Sequence, residues 1–219
     1  MPSAEPEARP ANEPTSHWAD RLEFITVVVL SVTTILTAWS AFESSKWGGA
    51  MSISFSQASS ARIEASRLDG VATTRSSTQV QLWTSWLAES PADPEVADFL
   101  ESRFPEPLAT AHADWLATNP LQNPSAPASP FEMPSYVMPE KLSAAEADAR
   151  ADAKFTEALT NNQRGDNYTL MTVLFAAVLF FAAMSNRMRK RRSRVTLLGF
   201  ALGLGLVGLV LLATFPKLI

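Results

Sequence analysis

The chain predicts an all-α membrane protein: three transmembrane helices, with an extracytoplasmic antiparallel helical hairpin and a Pro-rich cap between the first two. Three observations carry that reading. First, residues 24–42, 168–185 and 195–215 contain no charged side chain over 19, 18 and 21 positions. As helices rising ~1.5 Å per residue, each is about long enough to cross a ~30 Å hydrocarbon core. Second, six basic residues, Arg187, Arg189, Lys190, Arg191, Arg192 and Arg194, crowd the nine positions 186–194 between the last two runs. Third, ten prolines lie in 91–141, whereas 44–90 hold none.

The basic cluster sets the predicted orientation, because Lys and Arg in short loops are retained on the cytoplasmic side. Counting back from a cytoplasmic loop at 186–194, the second span (168–185) enters from outside and residues 43–167 are extracytoplasmic. The first span (22–42) then starts from a cytoplasmic tail, 1–21, and the third (195–216) leaves Lys217 outside. The tail is rich in Pro, Glu and Ala, has little to bury, and is expected to be flexible. Its acidic character also argues against a cleaved signal peptide, whose leading region is basic. Trp39 and Trp47 suit an interfacial anchor.

Composition excludes several function classes. The mean hydropathy of +0.03 is an average of two populations, apolar spans and an Ala/Ser/Pro/Glu-rich remainder. The net charge of −4 likewise averages an acidic exterior and one basic loop, so no basic folded face suggests nucleic acid. With no cysteine, disulfides, thiolate metal sites and cysteine nucleophiles are out of reach. His17 and His112 lie in unrelated segments, which disfavours a histidine metal centre. There is no phosphate-cradling glycine loop, no HExxH and no GxSxG. Asp93, Glu95, Asp98 and Glu101 have the spacing of a solvated helix face, with no paired base or nucleophile. No catalytic, cofactor-binding or metal-ligating residue is predicted, and the chain is expected not to be an enzyme.

In the exterior segment, Trp47, Met51, Ala58, Ala61, Ala65, Leu68, Ala72, Leu82 and Trp86 form a mostly small-residue seam of coiled-coil type. A second helix from 143 to 167, with Leu142, Ala145, Ala149, Phe155 and Leu159, feeds into the second span. Two such helices pair most simply as an antiparallel hairpin; independent amphipathic helices are the alternative. Within 91–141 two short helices fit, about 95–104 and 108–118, followed by turns at Asn119-Pro120, Asn123-Pro124 and Ser129-Pro130. The aromatics there pack on one another in a small cap, or they expose a groove. On the second reading Trp83, Trp86 and Trp115 are the candidate partner surface.

Inside the first span, Thr26, Thr33, Thr37 and Ser40 fall within an arc of about 60°. Such a stripe reads first as a helix-packing face and second as the wall of a polar pathway. No ionisable residue lies within the three runs, which disfavours a self-contained pump. On the third span Gly199 and Gly203 share one side, while Ala201, Gly205 and Gly208 lie nearly opposite, giving two smooth packing faces. The run Asn161-Asn162-Gln163-Arg164-Gly165-Asp166-Asn167-Tyr168 is an interfacial cap or a polar network reaching toward Glu43 and Lys46.

The order of parts resembles uncharacterised bacterial three-span membrane proteins that carry a domain of unknown function. The resemblance rests on Trp47 opening an Ala/Ser/Gln-rich helix and on Asp114-Trp115-Leu116-Ala117-Thr118 followed by Asn119-Pro120-Leu121 and Pro124. It continues through Asn162-Gln163-Arg164-Gly165-Asp166-Asn167-Tyr168, the basic loop and the glycine-rich last span. It implies a bacterial plasma (inner) membrane and a shared architecture, and no activity or cofactor. Two functions remain: a membrane interaction or scaffold subunit, or an accessory or pore-forming subunit of an oligomeric channel or transport complex. The expected partners are the lipid bilayer and either a second copy, in a homo-oligomer, or another membrane protein.

Overall fold

Helix is the natural outcome for a chain so rich in Ala, Leu and Glu, with its prolines gathered into one stretch. The computed structural model describes residues 17–218, and among them every regular element is helical. Helix α1 spans His17–Glu89, α2 Pro94–Glu101, α3 Leu108–Ala117, α4 Pro139–Arg187 and α5 Arg191–Thr214, with a 3₁₀ turn at Pro130–Glu132. Helices α1, α4 and α5 each contain a window long and apolar enough to cross a membrane. Of the tail expected to be flexible, residues 1–16 lie outside the described residues, whereas 17–21 already belong to α1.

The helix boundaries correct the expectations in three places. Helix α4 begins at Pro139, four residues before the predicted start. Proline fits the first helical position because its missing N–H has no intrahelical partner there in any case. The basic loop shrinks to 188–190, so Arg187 ends α4 while Arg191, Arg192 and Arg194 open α5. Arginine is a good helix former and nothing after Lys190 breaks the pattern. Helix α5 ends at Thr214, before the predicted end of the span at 216, because Pro216 disfavours helical backbone at Phe215, which is extended (ψ 141°).

Two units divide the chain, Met1–Ser52 with Leu159–Ile219, and Ile53–Ala158. In the second unit α1 and α4 meet through small residues: Ala58, Ala65 and Ala72 are buried on α1, and Ala144, Ala147, Ala151 and Ala158 on α4. Polar pairs flank this seam. Ser54 donates to Glu157 (3.2 Å), Arg62 reaches Asp148 and Asp152, Arg150 donates to Glu64 (3.1 Å), and Arg75 donates to Glu140 (2.6 Å). Partner numbers on α4 fall from 157 to 140 as those on α1 rise from 54 to 75. The ion pairs are exposed and contribute little each. The residues the sequence marks on this helix, Leu142, Ala145, Ala149, Phe155 and Leu159, are all exposed; other alanines meet α1, and their size lets the two helix backbones come close.

Residues 90–138 hold only short helices, as a proline every few positions requires. Asp93 caps α2, accepting from the Glu95 and Val96 amides at 3.1 and 3.2 Å. Asn119, which follows α3, takes a left-handed φ of 53° that asparagine tolerates better than most residues.

In the first unit Thr26, Thr33, Ser40, Glu43 and Trp47 of α1 are buried, as are Tyr168, Met171, Phe175, Val178, Ala182 and Ser185 of α4. Leu198, Ala201 and Leu212 of α5 are buried with them. Outside lie Phe24, Ile35, Val173, Phe180, Leu206 and Val210, an apolar exterior suited to lipid rather than water.

Candidate functional site

One residue past the uncharged run of the first span stands Glu43, a turn after Ser40 on the same helix face. It is completely buried. Its Oε2 accepts the Leu218 amide at 3.0 Å, while Oε1 has no hydrogen-bond partner. One turn further, the Trp47 indole N–H is also buried without an acceptor. An orphan acceptor and an orphan donor thus occur four residues apart on one face. A buried carboxylate with no cation beside it is costly, and in spanning segments such groups mark function by default. Glu43 falls just beyond the edge of the uncharged run, so the sequence points to it only through the polar run 161–168 and not as a buried group of the span.

Around it the segment 161–169 is tied to α1. Ser44 donates to the Gly165 carbonyl at 3.1 Å and lies 2.9 Å from the Thr169 hydroxyl. The Arg164 guanidinium sits 4.7 Å over the Trp47 ring. A Cβ at Gly165 would lie 3.5 Å from the Ser44 carbonyl oxygen and 3.6 Å from Trp47 Cβ, so α4 approaches the α1 backbone closely here. Tyr168, fully buried, donates to the Pro216 carbonyl at 3.0 Å and meets the Phe215 ring edge-on. Residues 215–218, after α5, are therefore held by Tyr168 and Glu43.

The hydroxyl stripe lies on the same side of α1. Thr26, Thr33 and Ser40 are buried and Thr37 is partly so. The hydroxyls of Thr26, Thr37 and Ser40 each donate to the carbonyl four residues earlier at 2.8 Å. They are thus spent within their own helix. On α5 the two glycine faces differ. A Cβ at Gly199 or Gly203 would meet nothing within 4 Å, one at Gly205 would touch Val178 at 3.7 Å, and one at Gly208 would strike Phe175 at 2.7 Å. Of the basic residues, Arg191 stacks 5.0 Å over Trp18 and Arg194 donates to Asn186 at 2.9 Å.

The expected partner surface is corrected. Trp83, Trp86 and Trp115 are all buried, in one cluster with Ala97, Phe104 and Leu108 and with Phe131 and Tyr136 packed on it. Trp83 meets Trp115 and Phe131 edge-on at 5.7 Å, and the Trp115 indole donates to the Pro127 carbonyl at 2.7 Å. The proline-rich chain folds back over the rings, so their area is spent inside the unit. What stays outside is Val96, Phe99, Leu116 and Leu121.

Inside this cluster His112 is 1% exposed, with both ring nitrogens lacking a hydrogen-bond partner. Its ring lies 4.4 Å from Trp86 and 5.2 Å from Phe104, and Nε2 is 3.9 Å from the Glu101 carboxylate. Burial pushes the imidazole below its ordinary value of 6.5, and Glu101 opposes this in part. The unfolded chain therefore binds the proton more readily than the folded one. Stability should be intact above pH ~6.5 and fall as pH drops toward the lowered folded value, by at most ~1.4 kcal/mol per pH unit for one proton. Thermal melts of wild type and His112→Phe between about pH 5 and pH 7 check this. The variant should lose the slope, and parallel profiles would exclude His112 as its source.

Among the described residues no group of three or more His, Asp or Glu side chains is placed to hold a metal ion. Comparison with family models, with curated proteins and with solved structures finds no match to this chain.

Proposed function

We propose that this chain is an integral membrane interaction or scaffold subunit of a bacterial plasma membrane that presents an extracytoplasmic antiparallel helical hairpin with a Pro-rich cap, and that it catalyses no reaction. One observation carries the reading. Helices α1 and α4 run 73 and 49 residues without a break, far beyond the ~20 residues a membrane crossing needs. The surplus is occupied by an alanine seam with a polar ladder whose partners descend on α4 as they ascend on α1. Such a seam and ladder support antiparallel pairing of the two helices as a hairpin. The aromatic cluster closes it, and Val96, Phe99, Leu116 and Leu121 are the apolar side chains it offers a partner.

The orientation follows from the basic turn, and its test uses the absence of cysteine. A cysteine at Ser90 should react with an impermeant maleimide on intact spheroplasts, and one at Ser193 only after lysis. Affinity purification in mild detergent should bring down a stoichiometric membrane partner, and Phe99→Ser with Leu121→Ser should release it without changing the melting temperature. Reversed labelling, or a partner retained by the double variant, would overturn the corresponding half of the proposal.

A second reading, a subunit of an oligomeric channel or transport complex, is favoured by Glu43 alone, a buried carboxylate with one free oxygen beside the hydroxyl-bearing face of α1.

A further inference from the structure

The turn 188–190 joins α4 to α5 and lies between their two apolar windows, so it belongs at the level of the lipid headgroups whichever leaflet faces it. Six cationic side chains occur from Arg187 to Arg194, and among the described residues none forms an ion pair with a carboxylate. Two of the six have other partners. Arg191 lies over the Trp18 ring and Arg194 donates to Asn186. Arg189, Lys190 and Arg192 are exposed. Helix α5 starts in their midst, with Lys190 as its N-cap in extended geometry and no side chain capping the first amides. Free N–H groups and the helix dipole add further positive potential at the same place. Concentrated charge of one sign, exposed and without an ion-pair partner among the described residues, suits an anion from outside the chain.

We propose that this turn is a binding site for the phosphate headgroup of an anionic phospholipid, held by Arg189, Lys190 and Arg192 at the open N-terminus of α5. Phosphate is favoured over a carboxylate ligand because guanidinium groups and helix N-termini both suit it. A lipid is favoured over free phosphate by the setting. The site is flanked by apolar helix on both sides, and Trp18, 40% exposed and stacked on Arg191, is a residue type that settles at the headgroup level. The same side chains that orient the chain during insertion then hold an annular lipid afterwards.

Full-length protein, purified in neutral detergent, is exchanged into nanodiscs of phosphatidylcholine with or without phosphatidylglycerol, and lipid retained after gentle release is counted by native mass spectrometry. Wild type should retain phosphatidylglycerol in preference to phosphatidylcholine. At ~1 kcal/mol per basic residue near a charged surface, replacing Arg189, Lys190 and Arg192 with Gln should weaken that retention by about a hundredfold. Replacing them instead with Lys, Arg and Lys, which keeps the charge, should preserve most of it. Neutralising Arg67, Arg103 and Lys141 should leave retention unchanged, which separates a local site from net charge. If the triple Gln variant fails to fold, Lys190→Gln alone still predicts a loss of about fivefold. Equal retention of the two lipids by wild type overturns the site, as does unchanged retention in the Gln variant. Displacement of phosphatidylglycerol by millimolar inorganic phosphate would assign the turn to a free anion instead.

Discussion

Ala151→Phe should lower the stability of the full-length protein by ~1–3 kcal/mol or more, whereas Ala149→Phe, on the outer side of the same helix, should change it by less than about 0.5 kcal/mol. Ala151 is completely buried and shares a cleft wall with Ala58 and Arg62 of α1. A phenyl ring there has no room unless the two helix backbones separate. Separation would also pull Arg62 from Asp148 and Asp152, although those exposed pairs contribute little. Ala149 is exposed and, at 100° per residue, lies nearly opposite the buried alanines of α4. Thermal melts in one detergent, followed by circular dichroism, give the comparison. Equal losses at the two positions would mean that α1 and α4 do not pack through the alanine face, and the proposed hairpin would fall with it.

How legible the chain was depends on what each feature needs. The three membrane windows are a property of local composition, so uncharged runs of 18 to 21 residues were enough to locate them. On α1 the small-residue seam was readable because Ala58, Ala65 and Ala72 recur at intervals of seven and nothing larger competes for their face. On α4 the same logic failed. Leu142, Ala145, Ala149, Phe155 and Leu159 are all exposed, and alanine is so frequent over 144–158 that its pattern does not single out Ala144, Ala147, Ala151 and Ala158, the ones buried. For the tryptophans both outcomes were readable, and packing into one cluster is the one that holds. The choice between that and an exposed groove depends on Pro127 and Phe131, more than 40 residues from Trp83 and Trp86, folding back over the rings. No local pattern encodes that. Glu43 was readable only as a neighbour of the polar run 161–168, because its burial comes with Tyr168 and residues 215–218, which are remote in sequence.

The two glycine faces of α5 should respond to substitution in different ways. Gly208→Leu should destabilise the unit formed by the spans by ~1–3 kcal/mol, since even a methyl group there would lie 2.7 Å from the Phe175 ring and 3.1 Å from Leu174. Phe175 is itself completely buried and has nowhere to move. Gly208→Ala should already cost part of this. Gly205 is intermediate, because its Cβ would make ordinary contact with Val178 at 3.7 Å, so Ala is tolerated and Leu is not. Gly203→Leu should leave the melting temperature unchanged, as nothing among the described residues lies within 4 Å of a Cβ at that position. Its effect should appear in association. With Gly199 it forms a smooth exposed stripe, and in lipid such stripes bring helices together through packing rather than through any hydrophobic drive. A second copy of this chain is the simplest occupant, since symmetric self-association needs no further gene product. The mass of the protein in detergent, from light scattering with chromatography, should therefore be oligomeric for wild type, oligomeric but less stable for Gly208→Ala, and monomeric with an unchanged melt for Gly203→Leu. Wild type that stays monomeric in several mild detergents and in nanodiscs would exclude the homo-oligomer and leave the Gly199–Gly203 stripe to lipid.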